Sequence, residues 1–356
     1  MFKTRFISML VLLAAVATGA MAQTTYKVSV KEGTEDATSW TIAPPEATTT
    51  GVAQGTQVTA SYGGVKKVKS VKAVKKAPAG PPSWKLTLSS PAKDLYITAN
   101  GGLIAQHTLD VASTEFTVEM PELTSQTVNI VATDGSGNCW YCTQENMSFA
   151  IGQTYQSSPT MTALGTESSA DVYKMTEAGT IPDGKTVVLS GVTISNGQIA
   201  CSGDATIILM GDNTVSAAVN KAAIKIGGSG TTLTITGSGS LTAQGGGGSA
   251  GIGTDRNGSG GNIVINGGTV TATGGNYGAG IGTGFSFSAS NTCGNITIGT
   301  GVTSVTATKG NSSPNSIGKG YAIVGGTQTC GTITIGGDAT TYAAGVTTSP
   351  FTYPAP

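Results

Sequence analysis

The segment Gly261-Asn262-Ile263-Val264-Ile265-Asn266-Gly267-Gly268-Thr269-Val270-Thr271-Ala272-Thr273-Gly274-Gly275 decides the fold of this chain. It holds two short strands in which apolar residues alternate with others, and glycine-rich turns bound each strand. A third element, Ala279-Gly280-Ile281-Gly282, follows a few residues later. Three short strands joined only by turns cannot bury their apolar side chains alone. The segment therefore predicts one unit of a repetitive all-β structure.

The same pattern recurs on both sides of this segment. The first strand begins at Val187, Ile207, Leu233, Ile263, Ile296 and Ile333, so the step grows from 20 to 37 residues. The second strand recurs around Val192, Val215, Leu241, Val270, Val305 and Tyr342, and the third element at Ala222, Ala250, Ala279 and Asn315. We predict a right-handed parallel β-helix over 175–356. A β-propeller is the alternative, but its blades need about 40 residues and four strands each.

The first strands also predict what lies inside and outside. In each strand the outer two residues of the triplet should face the core and the middle residue should face outward. The middle residue is apolar in the first two strands, Val188 and Ile208, and is mostly threonine later. We therefore expect the preceding domain to cover that face. Asn262 and Asn295 take the same corner in successive coils, which predicts an asparagine ladder.

Three segments precede the repeats. Residues 1–22 have the pattern of a signal peptide, with Lys3 and Arg5 before an apolar run and Ala20-Met21-Ala22 as the cleavage site. Residues 23–78 are predicted to form a small β module, and residues 83–163 a small antiparallel β-sandwich. The strands of the sandwich are predicted at 84–88, 95–98, 115–120, 127–132 and 147–150. The run 65–76 carries six lysines, which suit either an edge strand protected from aggregation or contact with an anionic glycan.

Composition excludes several classes of protein. Nineteen Lys and Arg balance nineteen Asp and Glu, so the chain has no basic excess for binding nucleic acid. The single histidine, His107, leaves no basis for a histidine metal cluster or a His-dependent triad. Nothing after the signal peptide is apolar enough to span a bilayer. We expect an exported protein without a membrane span, located outside the cell, on its surface or in the periplasm.

The cysteines suggest one specific pair. Cys293 and Cys330 each lie three residues before the inward isoleucine of a first strand. Stacked coils would bring them within reach of each other, either as a disulfide or as two thiols in contact. Cys139 and Cys142 form a CxxC motif, but a redox centre of that kind needs a helix N-terminus and this run lies in a β context. Packing in the sandwich or a local disulfide are the other interpretations, and Cys201 has no evident partner.

Aromatic residues are rare in the repeats, which makes one cluster stand out: Tyr277, Phe285, Phe287 and Tyr321. Flat aromatic faces pack against the C–H surfaces of sugars, and tyrosine suits a wet site. We therefore predict a carbohydrate-binding role for these four residues. The rival interpretation is that the rings only close a loop onto the wall of the β-helix.

No catalytic residue, metal or cofactor is predicted. Polysaccharide-cleaving enzymes need clustered carboxylates. The acids of the repeats are Glu177, Asp183, Asp204, Asp212, Asp255 and Asp338, and they fall in different registers. Asp255 half-matches a calcium-binding glycine repeat, but the next coil has no equivalent carboxylate, and calcium needs six to eight oxygens.

The repeat quoted above, together with Ala250-Gly251-Ile252-Gly253, resembles that of secreted, carbohydrate-binding-domain-like parallel β-helix proteins of Gram-negative gut anaerobes. The segment 146–155 resembles the closing strands of fimbrillin-like surface domains, although the chain lacks their lipobox cysteine. The first resemblance implies extracellular glycan or surface interaction and carries over no catalytic residue.

We expect an exported, non-enzymatic glycan-binding or adhesion protein that uses the β-helix as its contact surface. Its partner would be a polysaccharide, a cell-surface glycan or a surface protein. The alternative is a purely structural surface or matrix protein without a small ligand. A polysaccharide lyase or hydrolase is the third interpretation.

Overall fold

The computed structural model describes residues 80–287, 290–323 and 325–354, together with the backbone of eight short strands before residue 80. Those strands are Ala15–Val16, Thr25–Tyr26, Lys31–Glu32, Glu35–Asp36, Trp40–Ala43, Val52–Ala53, Gln57–Tyr62 and Val65–Lys72. The predictions for the signal peptide (1–22), for most of the module 23–78 and for the lysine side chains fall outside the described residues. The chain divides into two compact units, Met1–Gly80 and Pro81–Pro356.

The described residues are all-β, and no helix occurs among them. A helix long and apolar enough to cross a bilayer is accordingly absent from this part of the chain. The unit Pro81–Pro356 holds one largely antiparallel sheet, a two-stranded parallel sheet and three larger sheets that are mainly parallel. We call the latter the first, second and third parallel sheets.

The antiparallel sheet has six strands: Ser83–Ala99, Gly102–Glu119, Leu123–Thr133, Cys139–Phe149, Thr154–Ser157 and Thr162–Ala163. Two predicted strands, 84–88 and 95–98, are in fact parts of the single strand Ser83–Ala99. The first half of that strand pairs with Thr154–Ser157 in parallel, and its second half pairs with Leu123–Thr133. Where a small antiparallel β-sandwich was predicted, the structure thus has a single six-stranded sheet, whose core includes Trp84, Ile97, Ile130 and Phe149.

The second half of Ser83–Ala99 is buried on both faces. Leu95 and Ile97 point into the core of the antiparallel sheet, whereas Tyr96 belongs to a different cluster on the opposite face. Such two-sided burial is unusual for an antiparallel sheet, which commonly leaves one face to solvent. It shows that another layer covers the outer face.

The first parallel sheet supplies that layer. Its seven strands are Val172–Lys174, Lys185–Ser190, Ala205–Met210, Thr232–Gly237, Asn262–Ile265, Ile296–Ile298 and Ile333–Ile335. The sheet starts three residues before the predicted boundary at 175. Val188 and Ile208 are fully buried and cluster with Tyr96 and Val131 of the antiparallel sheet. The prediction that the preceding domain covers this face is confirmed.

Hydrogen bonds tie the two layers together. The hydroxyls of Thr98 and Thr186 lie 3.0 Å apart, and the Thr206 hydroxyl donates to the Gly101 carbonyl at 2.7 Å. Because their polar groups are paired, these threonines are buried between the layers without a large desolvation penalty.

The register of the first parallel sheet differs from the predicted one by two residues at a single step. Ile207 pairs with Ile235, and Leu233 pairs with Ala205 rather than with Ile207. A slip of two residues keeps every side chain on its face, because strand side chains alternate with period two. The predicted inward residues therefore do face the core. Only the predicted pairing of Ile207 with Leu233 on the adjacent strand was wrong.

The second parallel sheet has six very short strands: Gly179–Ile181, Ile199–Cys201, Ile224–Lys225, Ile252–Gly253, Ile281–Gly282 and Ile317–Gly318. From the second strand on, the isoleucines stack in register and are fully buried. In the last three strands the residue after the isoleucine has a positive φ that favours glycine. Gly253 has φ +144°, and a Cβ there would come within 1.8 Å of the Gly282 carbonyl oxygen.

The third parallel sheet contains Thr193–Ser195, Asp212–Ser216, Ser240–Gln244, Thr269–Thr273 and Ser304–Thr308. Its last strand is Phe351–Tyr353, which pairs with Ser304–Thr308 in the antiparallel direction. The predicted last strand at Tyr342 is wrong, because Tyr342 lies in a turn. In each of these three sheets the strand order follows the chain order, and from Lys185 to Gly318 each repeat contributes one strand to each sheet around a shared apolar core.

The predicted asparagine ladder is present. The Asn262 side-chain oxygen accepts a hydrogen bond from the Asn295 backbone N–H at 2.8 Å, and the Asn295 oxygen accepts one from the Thr332 N–H at 2.9 Å. The ladder satisfies backbone donors at the corner where the chain enters the first parallel sheet.

Candidate carbohydrate-binding groove

Two loops flank each strand of the second parallel sheet. The leading loop connects the third sheet to the second, and the trailing loop leaves the second sheet. Residues 274–280 form the leading loop of one repeat, and its trailing loop begins with residues 283–287. In the next repeat the corresponding residues are 309–316 and 319–323. Because neighbouring strands lie about 4.8 Å apart, equivalent loop positions of successive repeats come side by side.

The four aromatic residues predicted as a cluster meet on these loops. The ring centroid of Tyr277 lies 4.9 Å from that of Phe285 and 5.8 Å from that of Tyr321. The rings of Phe285 and Tyr321 are 6.1 Å apart and within 5° of parallel. Phe287 completes the cluster at 6.4 Å from Phe285. The tertiary structure thus joins rings from two successive repeats that are far apart in the sequence.

Burial divides the cluster into a floor and walls. Phe285 is buried, whereas Tyr277, Phe287 and Tyr321 are 37%, 52% and 40% exposed. Phe285 therefore closes the loop onto the wall, as the rival interpretation proposed for all four rings. The other three rings keep a large part of their surface in solvent, where folding alone gives no benefit.

These rings line a groove of about 720 Å³. The remaining lining residues are Asn220, Gly247, Gly248, Arg256, Asn276, Ser312 and Ile323. Glycine leaves space at the groove wall: a Cβ on Gly248 would lie 3.2 Å from the Cβ of Phe285. An apolar floor with a few polar groups at the rim is typical of a small-molecule site.

Backbone hydrogen bonds hold the loops that carry the rings. The Tyr321 N–H donates to the Tyr277 carbonyl at 2.8 Å, and the Phe285 N–H donates to the Gly248 carbonyl at 2.6 Å. The Asn257 N–H donates to the Phe285 carbonyl at 2.8 Å. Because these bonds link neighbouring repeats, the rings are positioned before any ligand binds, which reduces the entropy cost of binding.

Arg256 is a groove residue that the sequence reasoning missed. Its guanidinium carbon lies 5.3 Å from the ring centroid of Phe285 and 6.0 Å from that of Phe287, within cation–π range. A spacing signal existed: Arg256, Phe285 and Tyr321 each follow a stacked isoleucine by four residues. Those isoleucines are Ile252, Ile281 and Ile317.

The cysteine predictions have separate outcomes. The disulfide Cys293–Cys330 is confirmed, and it joins the paired strands Ser290–Cys293 and Thr327–Cys330. Cys139 and Cys142 are free, so the local disulfide is wrong. Cys139 packs toward the first parallel sheet and Cys142 toward the core of the antiparallel sheet, because residues three apart on a strand face opposite ways.

Burial makes the Cys139 thiol inert rather than reactive. Desolvation raises the pKa of Cys139 to about 12, and it does the same for Cys201. A redox cysteine needs the opposite shift, toward a stable thiolate. The CxxC motif is a packing feature of the strand Cys139–Phe149.

The five aspartates of the repeats accept hydrogen bonds from neighbouring protein groups. Asp183 accepts the backbone N–H of Asp204 at 2.8 Å, and Asp204 accepts that of Thr232 at 2.6 Å. Hydrogen bonds from Thr341 and Thr340 hold the pKa of Asp338 below its usual range. None of the groove-lining residues is acidic.

Asp255, the residue that half-matched a calcium repeat, has protein donors around it. It accepts the Gln198 side-chain N–H at 2.7 Å and the Ala222 backbone N–H at 2.8 Å, and its second oxygen lies 3.2 Å from the Lys221 ammonium. No group of three or more metal-ligating side chains occurs in the part of the chain that the structure describes.

Comparisons with known proteins do not identify a family. No protein-family model matches the chain, and neither a curated protein nor a solved structure is significantly similar to it.

Proposed function

We propose that this chain is an exported, non-enzymatic glycan-binding protein, and that the aromatic groove is its binding site. The observation that carries the proposal is the convergence of three exposed rings from two repeats on one groove. Sugars present C–H faces that pack on such rings and hydroxyls that bond to amides at a rim. Asn220, Asn276 and Ser312 supply such polar groups here.

The proposal includes an architecture: the three parallel sheets are the faces of a right-handed parallel β-helix. Its support is the regular order of the sheets and their single shared core. Right-handed crossovers between parallel strands are strongly preferred in proteins. A crystal structure in which successive repeats wind the other way, or do not wind, would refute this part of the proposal.

In this arrangement the groove runs along the stack of repeats. Equivalent positions recur about every 4.8 Å. The row of Arg256, Phe285 and Tyr321 comes from three successive repeats and therefore covers roughly 10 Å between its outer members. This length suits a short stretch of an extended glycan chain rather than a single sugar.

A glycan array probed with the mature chain tests the function. Tyr321→Ala and Phe287→Ala should each weaken binding about 2- to 12-fold, because an aromatic contact contributes about 0.5–1.5 kcal/mol. Ile151→Ala is the matched control, since Ile151 is also about half exposed but lies on the antiparallel-sheet domain outside the groove.

The same array separates the competing functions. Repeating it with calcium, followed by a reducing-sugar assay, distinguishes binding from cleavage. Binding without product release supports the proposal. A complete absence of glycan binding favours the alternative, a structural surface or matrix protein, and release of reducing ends indicates a lyase or hydrolase.

A further inference from the structure

The region around the groove has a one-sided charge. Although the chain has a formal net charge of zero, no Asp or Glu occurs from Arg256 to Gly337. The same stretch carries three cations, Arg256, Lys309 and Lys319. All three loops that carry the aromatic rings belong to this stretch, and such an excess of cations favours a positive field at the groove.

Arg256 is the charged group within the groove itself. The adjacent carboxylate, Asp255, is paired with Lys221 and hydrogen bonded to Gln198 and Ala222. Among the described residues, no carboxylate lies within salt-bridge distance of Arg256. The positive charge is therefore not neutralised by the protein.

The guanidinium is nonetheless held in place. Its position over the rings of Phe285 and Phe287 restricts the side chain, and one N–H contacts the Asn220 side-chain oxygen at 3.5 Å. Arginine has five N–H donors, so most of them remain for a ligand. Their fork geometry matches a carboxylate or sulfate group.

We propose that the groove selects acidic glycans, in which a carboxylate or sulfate on one sugar binds Arg256 while neighbouring sugars stack on Tyr277 and Tyr321. This inference rests on the proposed glycan-binding function and names its substrate class. Uronic acids and sulfated sugars present the same anionic chemistry to Arg256, and the experiment distinguishes them.

The test uses trigalacturonic acid, its methyl ester and a sulfated galactose oligosaccharide, titrated calorimetrically into the mature chain. The acid or the sulfated sugar should bind about ten- to a hundredfold tighter than the neutral ester, because a hydrogen bond to a charged group contributes about 1.5–3 kcal/mol. Arg256→Gln should remove this preference, and Arg256→Lys should retain part of it. Lys225→Gln, which removes a cation that does not line the groove, should leave the preference unchanged.

Salt gives an independent readout. Raising sodium chloride from 50 to 300 mM should weaken binding of the anionic ligand and leave the ester unaffected, because salt screens only charge interactions. A thermal midpoint equal to that of the wild type verifies that each variant is folded.

The outcomes separate the two proposals. Equal binding of ester and acid by both wild type and Arg256→Gln overturns the acidic selectivity while leaving glycan binding intact. Failure of every glycan to bind overturns the proposed function and this inference together. Binding of only the uronate or only the sulfated sugar supports the inference and decides the source of the anion.

Discussion

The interface between the antiparallel sheet and the first parallel sheet gives the sharpest stability prediction. Ile208 is completely buried in the cluster between the two layers. Ile208→Ala removes three carbon atoms, worth about 2.4 kcal/mol at ~0.8 kcal/mol each, and leaves a cavity. We therefore expect the free energy of unfolding to fall by about 3–4 kcal/mol.

Val264→Ala is the matched control. Val264 also points outward from the first parallel sheet, but beyond the covered strands and with its side chain only partly buried. Two carbons are lost there, less than about a third of the side-chain surface is in solvent, and no closed cavity forms. The expected loss is about 1–1.5 kcal/mol, well below that for Ile208→Ala.

Urea unfolding in a Trp40→Phe background measures both variants. The remaining tryptophans, Trp84 and Trp140, both lie in the antiparallel sheet, so their fluorescence reports on that layer. Circular dichroism reports on all sheets. With Ile208→Ala both signals should shift together. Equal losses for Ile208→Ala and Val264→Ala would contradict the reasoning, because the covering layer would then contribute nothing.

Three further predictions concern the rest of the fold. Between about pH 9 and pH 12 the free energy of unfolding should fall as the pH rises, by up to about 3 kcal/mol per pH unit from Cys139 and Cys201, because their thiols ionise in the unfolded chain while burial keeps them protonated in the folded one. Replacing both by alanine should flatten the profile measured by urea unfolding across that range, and an unchanged slope would rule out this cause. Replacing Cys293 and Cys330 by serine should lower the free energy of unfolding by up to about 4 kcal/mol, given their separation of 37 residues. The wild type, unfolded without reductant, should accordingly show three titratable thiols rather than five. Asn295→Ala should lower the free energy of unfolding by about 0.5–1.5 kcal/mol, because it removes the acceptor of the Thr332 N–H. Asn295→Asp keeps that acceptor, so its thermal midpoint should lie closer to that of the wild type. Equal losses in the two variants would show that this hydrogen bond does not contribute to stability.

Much of the groove could be predicted because the repeats fix the position of each loop. Once Ile281 and Ile317 are aligned, residues at equal distances after them must lie side by side. This is why Phe285 and Tyr321 could be grouped from their positions alone. The aromatic pattern does not include Arg256, although the same spacing after Ile252 places it in the row.

The division between buried and exposed rings could not be predicted. Phe285 and Phe287 lie two residues apart, yet one is buried and the other is half exposed. The difference depends on Gly248, which packs against Phe285 from a neighbouring repeat. No local pattern reveals such a contact, because it depends on how two loops stack.

The sequence by itself determined the all-β class, most strand positions in the repeats and the side of those strands that faces the core. It could do so because alternation with period two is a property of a single strand. It also determined the contact between Cys293 and Cys330 and the exposure of an apolar face at Ile208 that needed a cover.

Only the tertiary structure decided the features that depend on contacts between strands distant in the chain. The two-residue register at Ile235, the merging of two predicted strands into Ser83–Ala99 and the antiparallel closing strand Phe351–Tyr353 all belong to this class. Shifts by two residues conserve the pattern of buried side chains, so the pattern cannot choose among them. That choice is made by packing and hydrogen bonding between strands that are distant in the chain.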